Sequence, residues 1–273
     1  MIGLFDSGFG GLYILRGIVK ELPQYSYIYL GDSARAPYGP RSNEEVYAFT
    51  KQGVEFLFEN GANLVVLACN TASSEALRKI QHEYHRDDTQ KVLGVLIPFA
   101  EAAVRQTVNK RIGILATEGT VQSGAFEREI KKIDPQITVF QQACPLLVPL
   151  VEAGEQDSEN ADVLIRKYLK PILAEDIDTL VLGCTHYGFL ERKICKMADP
   201  HVRIISERDV MPGSLAAYLK RHADVERRIT KGEPTRFFST GPIDRFESLG
   251  SIFFGEAIKA KSVVLSENSQ VGI

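Results

Sequence analysis

RIGILATEGT, residues 111–120, lies in mid-chain and reads as a short apolar run closed by Thr117, Glu118, Gly119 and Thr120. Six residues rich in isoleucine and leucine are too few for a buried helix and suit a strand covered on both faces. The Thr-Glu-Gly-Thr that follows suits a turn into a helix. The chain opens the same way with IGLFDSG, residues 2–8. Further on, VLACNTAS at residues 66–73 has its counterpart in LVLGCTHY at residues 180–187. The order of features is therefore given twice, which predicts two similar units facing each other across a cleft. Between them, IGLF, YIYLG, NLVVLA, VLGVL, RIGILA, ITVFQQ, DTLVLG and VRIIS read as strands. They alternate with amphipathic stretches such as residues 43–59 and 159–173, the rhythm of parallel strands joined by crossover helices. A closed eight-stranded barrel fits that rhythm too. The restart at residue 111, after a division near Pro98, favours two doubly wound parallel-sheet domains. The stretch after Ser206, including GSLAAYLKRH, is assigned to neither unit by its residues alone.

A chain of 273 residues can bury a substantial core. Its 32 Lys and Arg against 35 Asp and Glu leave a net charge of −3, with no basic stripe interleaved with aromatics, so nucleic acid is not the expected partner. The amino terminus lacks the pattern of a signal peptide, and no apolar run approaches the roughly 20 residues that span a bilayer. The expectation is a soluble, cytoplasmic protein without a membrane partner. Its four cysteines, Cys69, Cys144, Cys184 and Cys195, are far apart and show no CxxC spacing. They suggest free thiols rather than a disulfide framework or zinc site.

In open parallel sheets, ligands gather beyond the carboxyl ends of strands. Cys69 and Cys184 both fall there, each followed by polar residues. A lone strand-end cysteine is ordinarily a small core residue. Two at matched positions of a duplicated unit are better explained as reactive groups. The amino-terminal end of a following helix is then expected to lower their thiol pKa. Cys144 and Cys195 lack this setting and read as structural.

DSGFGGL, residues 6–12, is not a phosphate loop: its spacing is not GxGxxG, no GK[ST] follows, and Asp6 would repel phosphate. An acid beside bare backbone amides suits an ammonium and a carboxylate bound together, although Asp6 could also serve as a helix N-cap. GDSARAPYGPRS, residues 31–42, is a loop in which Tyr38 and Gly39 could offer a hydroxyl and an N–H, or simply form a turn. Asp32 could cap a helix or act in the site. Thr117 and Thr120 offer hydroxyls or a cap. His186, two residues past Cys184, could stabilise a thiolate or shuttle a proton, or be a structural histidine. Glu152, in LLVPLVEAGE, reads as a solvated carboxylate at a helix end. His82, His85, Asp87 and Asp88 could resemble a metal site, but the dipole of a helix end explains cationic side chains there, and no metal is expected.

DSGFGGL, GDSARAPYG, ACNTAS and GCTHY, in this order and at these intervals, resemble the cofactor-independent glutamate racemases of the aspartate/glutamate racemase superfamily. The likeness covers roughly residues 2–206. It implies two α/β domains related by a pseudo-twofold axis, residues 1–97 with 207–273 and residues 98–206, with the active site between them. It also implies interconversion of L- and D-glutamate without pyridoxal phosphate, supply of D-glutamate for peptidoglycan, and a homodimer. By the resemblance, Cys69 and Cys184 are the catalytic bases. Asp6, Ser7, Tyr38, Gly39, Asn70, Thr71, Thr185 and His186 contact substrate, and Glu152 and His186 assist the thiols. Two departures stand out: Gly188, Phe189 and Leu190 replace a common Pro-Leu-Leu, and ISERDVMPG, residues 205–213, stands where many have Asp-Ser-Ala.

Inverting an α-carbon requires a base on one face and an acid on the other, since a single group would mostly return its own proton. Two opposed thiols meet that need, with Asn70, Thr71 and Thr185 as expected donors to the developing carboxylate charge. For D-glutamate the resemblance has Cys69 abstract and Cys184 donate. Three rivals compete with this reading: an aspartate racemase, a hydrolase or lyase built on Cys184 and His186, and a non-catalytic amino-acid-binding protein.

Overall fold

The computed structural model describes residues 1–84 and 89–265. Among these the strands are β1 (Ile2–Asp6), β2 (Tyr27–Gly31), β3 (Leu64–Leu67), β4 (Lys91–Gly94), β5 (Arg111–Ala116), β6 (Thr138–Ala143), β7 (Thr179–Gly183), β8 (Arg203–Ile205), β9 (Arg236–Ser239) and β10 (Ala260–Ser262). They form two sheets, a six-stranded one in the order β10-β9-β2-β1-β3-β4 and a four-stranded one in the order β6-β5-β7-β8. Every ladder within them is parallel. The orders β2-β1-β3-β4 and β6-β5-β7-β8 are the same pattern, so the duplication read from the sequence is a duplication of topology. A barrel is excluded because both sheets are open.

β1, β2, β3 and β7 are buried at every position, which is why they appear as unbroken apolar runs. The helix Asn43–Glu59 begins where Ser42 and Glu45 make a reciprocal capping box. The helix Glu159–Leu173 begins where Ser158 accepts from the N–H of Ala161. The run VLGVL is divided: β4 stops at Gly94 and a helix, Leu96–Gln106, starts two residues later, with Pro98 in its first turn, where a missing N–H costs nothing. That helix carries the chain from the first sheet to the second. The helix Glu207–Arg221 carries it back, packing against both Leu96–Gln106 and the helix Gly11–Glu21. β9 and β10, which the sequence did not announce, then extend the first sheet beside β2.

The seam between the sheets is aromatic on one side. The rings of Phe189 and Phe253 lie 4.3 Å apart and those of Tyr13 and Phe189 4.9 Å. Each such pair adds about 0.5–1.5 kcal/mol beyond its buried area. Gly10 packs directly against Thr185: a Cβ there would be 2.1 Å from Thr185 Oγ1. Within DSGFGGL, Gly10 therefore serves close contact with the second unit, and Gly11 makes room for Asp6, Ala68 and Tyr29 of the first.

Candidate active site

In each sheet the order of strand addition reverses at the central strand. In the first, the chain runs from β1 to β2 and returns to β3 on the other side of β1; in the second, it runs from β5 to β6 and returns to β7. Such switch points leave a crevice at the carboxyl ends of the two central strands. Asp6 ends β1, and Cys69 lies two residues beyond β3. Thr117 follows β5, and Cys184 directly follows β7. The two crevices meet: Thr71, two residues past Cys69, shares a hydrogen bond with Thr117 at 2.9 Å, and Gly10, after β1, abuts Thr185, next to Cys184.

Cys69 and Cys184 are each 6% exposed. Burial pushes the Cys69 thiol up to about 11, reinforced by Asp6, while the Ser7 hydroxyl and the N–H groups of Ala72 and Ser7 pull it back only in part. Burial also drives Cys184 well above an ordinary thiol, with Glu207, Cys69 and Asp6 adding to the effect and the His186 N–H opposing it. The expected lowering by helix ends is therefore overturned. The helix after Cys69, Asn70–Glu75, is only six residues long, and Cys184 is followed by a 3₁₀ turn, Tyr187–Phe189, so little dipole faces either sulfur. Loss of water dominates.

Asp6 is fully buried and does not act as an N-cap; Gly10 occupies that position. Its Oδ2 accepts from the Gly8 N–H at 2.9 Å, and its Oδ1 is buried without a partner. Burial raises its carboxyl above the usual range, against the pull of His186 and the N–H groups of Gly8 and Gly11. Three threonines close the opposite wall: Thr71 shares hydrogen bonds with Thr117 at 2.9 Å and Thr120 at 3.4 Å, joining the two units. Thr117 also caps its helix by accepting from the Thr120 N–H, so the hydroxyl and capping roles coexist. Nearby, the Gly119 N–H donates to the Gly39 carbonyl at 3.0 Å.

Beside Cys184 the side chains form a chain of contacts. Cys184 Sγ lies 4.0 Å from His186 Nδ1, which is also 3.3 Å from Thr185 Oγ1. His186 Nε2 meets Glu152 Oε1 at 3.2 Å, and Arg245 Nη2 donates to Glu152 Oε2 at 3.3 Å. Glu152 is thus a partnered carboxylate, not a freely solvated one. Burial alone would raise it, but His186 and Arg245 bring it below the ordinary value. Tyr38 is buried and donates to Asp32 Oδ2 at 2.5 Å. Asp32 also receives Arg35 Nε at 2.7 Å and Thr240 Oγ1 at 2.7 Å. The Tyr38 hydroxyl can therefore only accept from a ligand.

Asn70 donates from Nδ2 to Glu207 Oε1, and its own Oδ1 is buried without a partner. Glu207, 4% exposed, is the site residue the sequence reading missed. An acid in the first turn of a helix reads as a dipole complement, and only its place just past β8, at a strand's carboxyl end, marks it otherwise. Cys144 is buried in the core, where its carbonyl accepts from the Tyr187 hydroxyl at 3.0 Å, and Cys195 is exposed. His85, Asp87 and Asp88 lie outside the described residues. Among the described residues no three His, Cys, Asp or Glu side chains cluster as metal ligands. No described helix is long and apolar enough to cross a membrane.

The sequence matches the Asp/Glu/Hydantoin racemase family over residues 2–209. It is 36% identical over 273 residues to the glutamate racemase of Exiguobacterium sibiricum, covering 98% of this chain and 97% of that one. The structure is similar to a glutamate racemase isoform from Bacillus anthracis, with a TM-score of 0.89, 37% identity and 97% of each chain covered. It is similar also to the Francisella tularensis glutamate racemase solved with D-glutamate, with a TM-score of 0.87, 29% identity and 97% of each chain covered.

Proposed function

Because the chain belongs to the Asp/Glu/Hydantoin racemase family, we propose that it interconverts L- and D-glutamate by transfer of the α-proton between Cys69 and Cys184, without pyridoxal phosphate. The observation that carries this reading is the placement of two buried thiols at equivalent switch points of two like sheets, whose neighbours Thr71 and Thr117 meet at 2.9 Å.

The raised thiol pKa values shape the mechanism. Asp6, Glu207, Cys69 and Cys184 are four potential anions in one buried space, and burial favours the neutral form of each. A substrate ammonium brings the missing positive charge. With it in place, Asp6 ionises against the ammonium, and the abstracting thiol gives its proton to solvent before the cleft closes, leaving one thiolate and one thiol. From D-glutamate, Cys69 takes the α-proton and Cys184 delivers its own to the opposite face; from L-glutamate the roles reverse. Thr71, Thr120 and Thr185, with Ser7 and the Gly39 N–H, line the carboxylates' side of the cleft, while Tyr38, its hydroxyl hydrogen committed to Asp32, shapes the wall beside Gly39. Donors fixed before reaction stabilise the charge developing on the α-carboxylate. Glu152 holds His186, which assists Cys184. Closure of residues 1–97 with 207–273 upon residues 98–206 excludes water. The product suits a cell making peptidoglycan, and the assembly proposed is a homodimer.

The test is polarimetry of purified protein with each enantiomer of glutamate and of aspartate. Loss of rotation with glutamate and not aspartate supports the proposal. Preference for aspartate, or an absorbance spectrum showing bound pyridoxal, contradicts it.

A further inference from the structure

Glu207 neither gives nor takes a proton in the two-thiol scheme, yet it is a carboxyl group buried to 4% exposure beside Asn70. It sits at the start of the helix Glu207–Arg221, and its Oε1 accepts from Asn70 Nδ2 across 137 residues of chain. Asn70 directly follows Cys69. A carboxamide offers two N–H donors on one end and an acceptor oxygen on the other. Once Nδ2 is held by Glu207, the orientation is fixed and Oδ1 is left as a buried acceptor without a partner. Asp6 Oδ1, at the end of the neighbouring strand β1, is the second such acceptor at this site. Two unpartnered oxygens at one crevice call for a donor that is not part of the chain, and an ammonium group has three hydrogens to give.

We infer that Glu207 is a positioning residue: it clamps Asn70 so that Oδ1, together with Asp6 Oδ1, receives the ammonium group of the substrate amino acid. Asn70 then acts as an acceptor for the ammonium, not as a donor to the carboxylate as its place beside Cys69 suggests. This inference rests on the reading of the cleft as an amino-acid site. Glu207 touches neither the ammonium nor the reacting carbon. Released from the clamp, the carboxamide can turn its N–H end toward the ammonium, and that end repels a cation.

The experiment compares Glu207→Gln, which keeps an acceptor oxygen for Nδ2, with Glu207→Met, which fills similar volume without one. Circular dichroism establishes that both fold. The clamp predicts that Glu207→Met raises KM for both enantiomers of glutamate roughly tenfold, as expected for one misdirected buried polar group, with a smaller change in kcat. Glu207→Gln restores KM to within about threefold of the parent. A second readout needs no turnover: the side-chain ¹⁵NH₂ signals of Asn70, identified by their absence in Asn70→Asp, shift in Glu207→Met and stay near the parent position in Glu207→Gln. Parent protein inactive on glutamate would refute the substrate reading, whereas the Asn70 signals would still report the clamp. The inference is overturned if Glu207→Met leaves KM and those signals unchanged, or if Glu207→Gln is as impaired as Glu207→Met.

Discussion

Replacing Gly10 by alanine would put a methyl group 2.1 Å from Thr185 Oγ1, 2.6 Å from Thr185 Cβ and 2.9 Å from His186 Nδ1. The backbone at Gly10 has φ −58° and ψ −38°, open to any L-residue, so strain arises from the contact and not from the conformation. Turning the Thr185 hydroxyl away does not relieve it, because Cβ is also too close. The segment after β7 must retreat by about 1 Å, taking Cys184 with it, and overpacking of this kind costs about 1–3 kcal/mol. Because the clash lies at the seam between units, the closed arrangement absorbs that cost before either sheet unfolds. A displacement of about 1 Å between reacting groups lowers a rate by roughly 10²-fold. The expectation is therefore a fall of that order in kcat/KM, equal for both enantiomers because the equilibrium constant of a racemisation is one, with little change in melting temperature. Polarimetric kinetics and thermal unfolding measure the two quantities. Gly213→Ala is the control: nothing lies within 4 Å of that Cβ, and alanine in a helix interior should add about 0.5–1 kcal/mol of stability without altering rate. A Gly10→Ala variant within about threefold of the parent would refute the reasoning about the seam.

Single replacement of Cys69 or Cys184 by alanine should lower racemisation by about 10²–10⁴-fold in either direction, while Cys144→Ala keeps its activity; steady-state rates decide this. Stability should fall with rising pH through the thiol range. Cys69 ionises near 11 when folded, and Cys184 is likewise held well above an ordinary thiol, against about 8.5 when unfolded, so the folded state binds more protons above that unfolded value. That contribution is full below about 8.5 and is lost as pH rises through the folded values; melting curves of Cys69→Ser/Cys184→Ser should be flatter with pH there than those of the parent. Glu152→Gln should lower kcat about tenfold by weakening the hold on His186, whereas Arg245→Met, at a side chain 60% exposed, should change it by less than about threefold.

The sheets were legible because parallel strands covered on both faces have no polar alternation to hide them, and β1, β3 and β7 follow that rule. Residues 43–59 and 159–173 were readable to their ends because Ser42 with Glu45, and Ser158, mark the starts. β9 and β10 escaped notice because they are four and three residues long, and β10 is a polar edge strand. The two thiols stood out in the sequence by their repeated setting. Their proton affinity was misjudged, because a local rule about helix ends was applied where burial, a property of the whole fold, decides. Glu207 was missed for the same reason: its partner Asn70 is 137 residues away, and no local pattern encodes that contact.

The most direct measurement follows initial turnover of each glutamate enantiomer in heavy water, with the α-hydrogen content of recovered substrate and new product read by NMR. Two opposed thiols predict deuterium in the product from the first turnovers and protium retained in unreacted substrate, from either starting hand. Product that keeps its original α-hydrogen would show a single group removing and returning the proton, and would contradict the account.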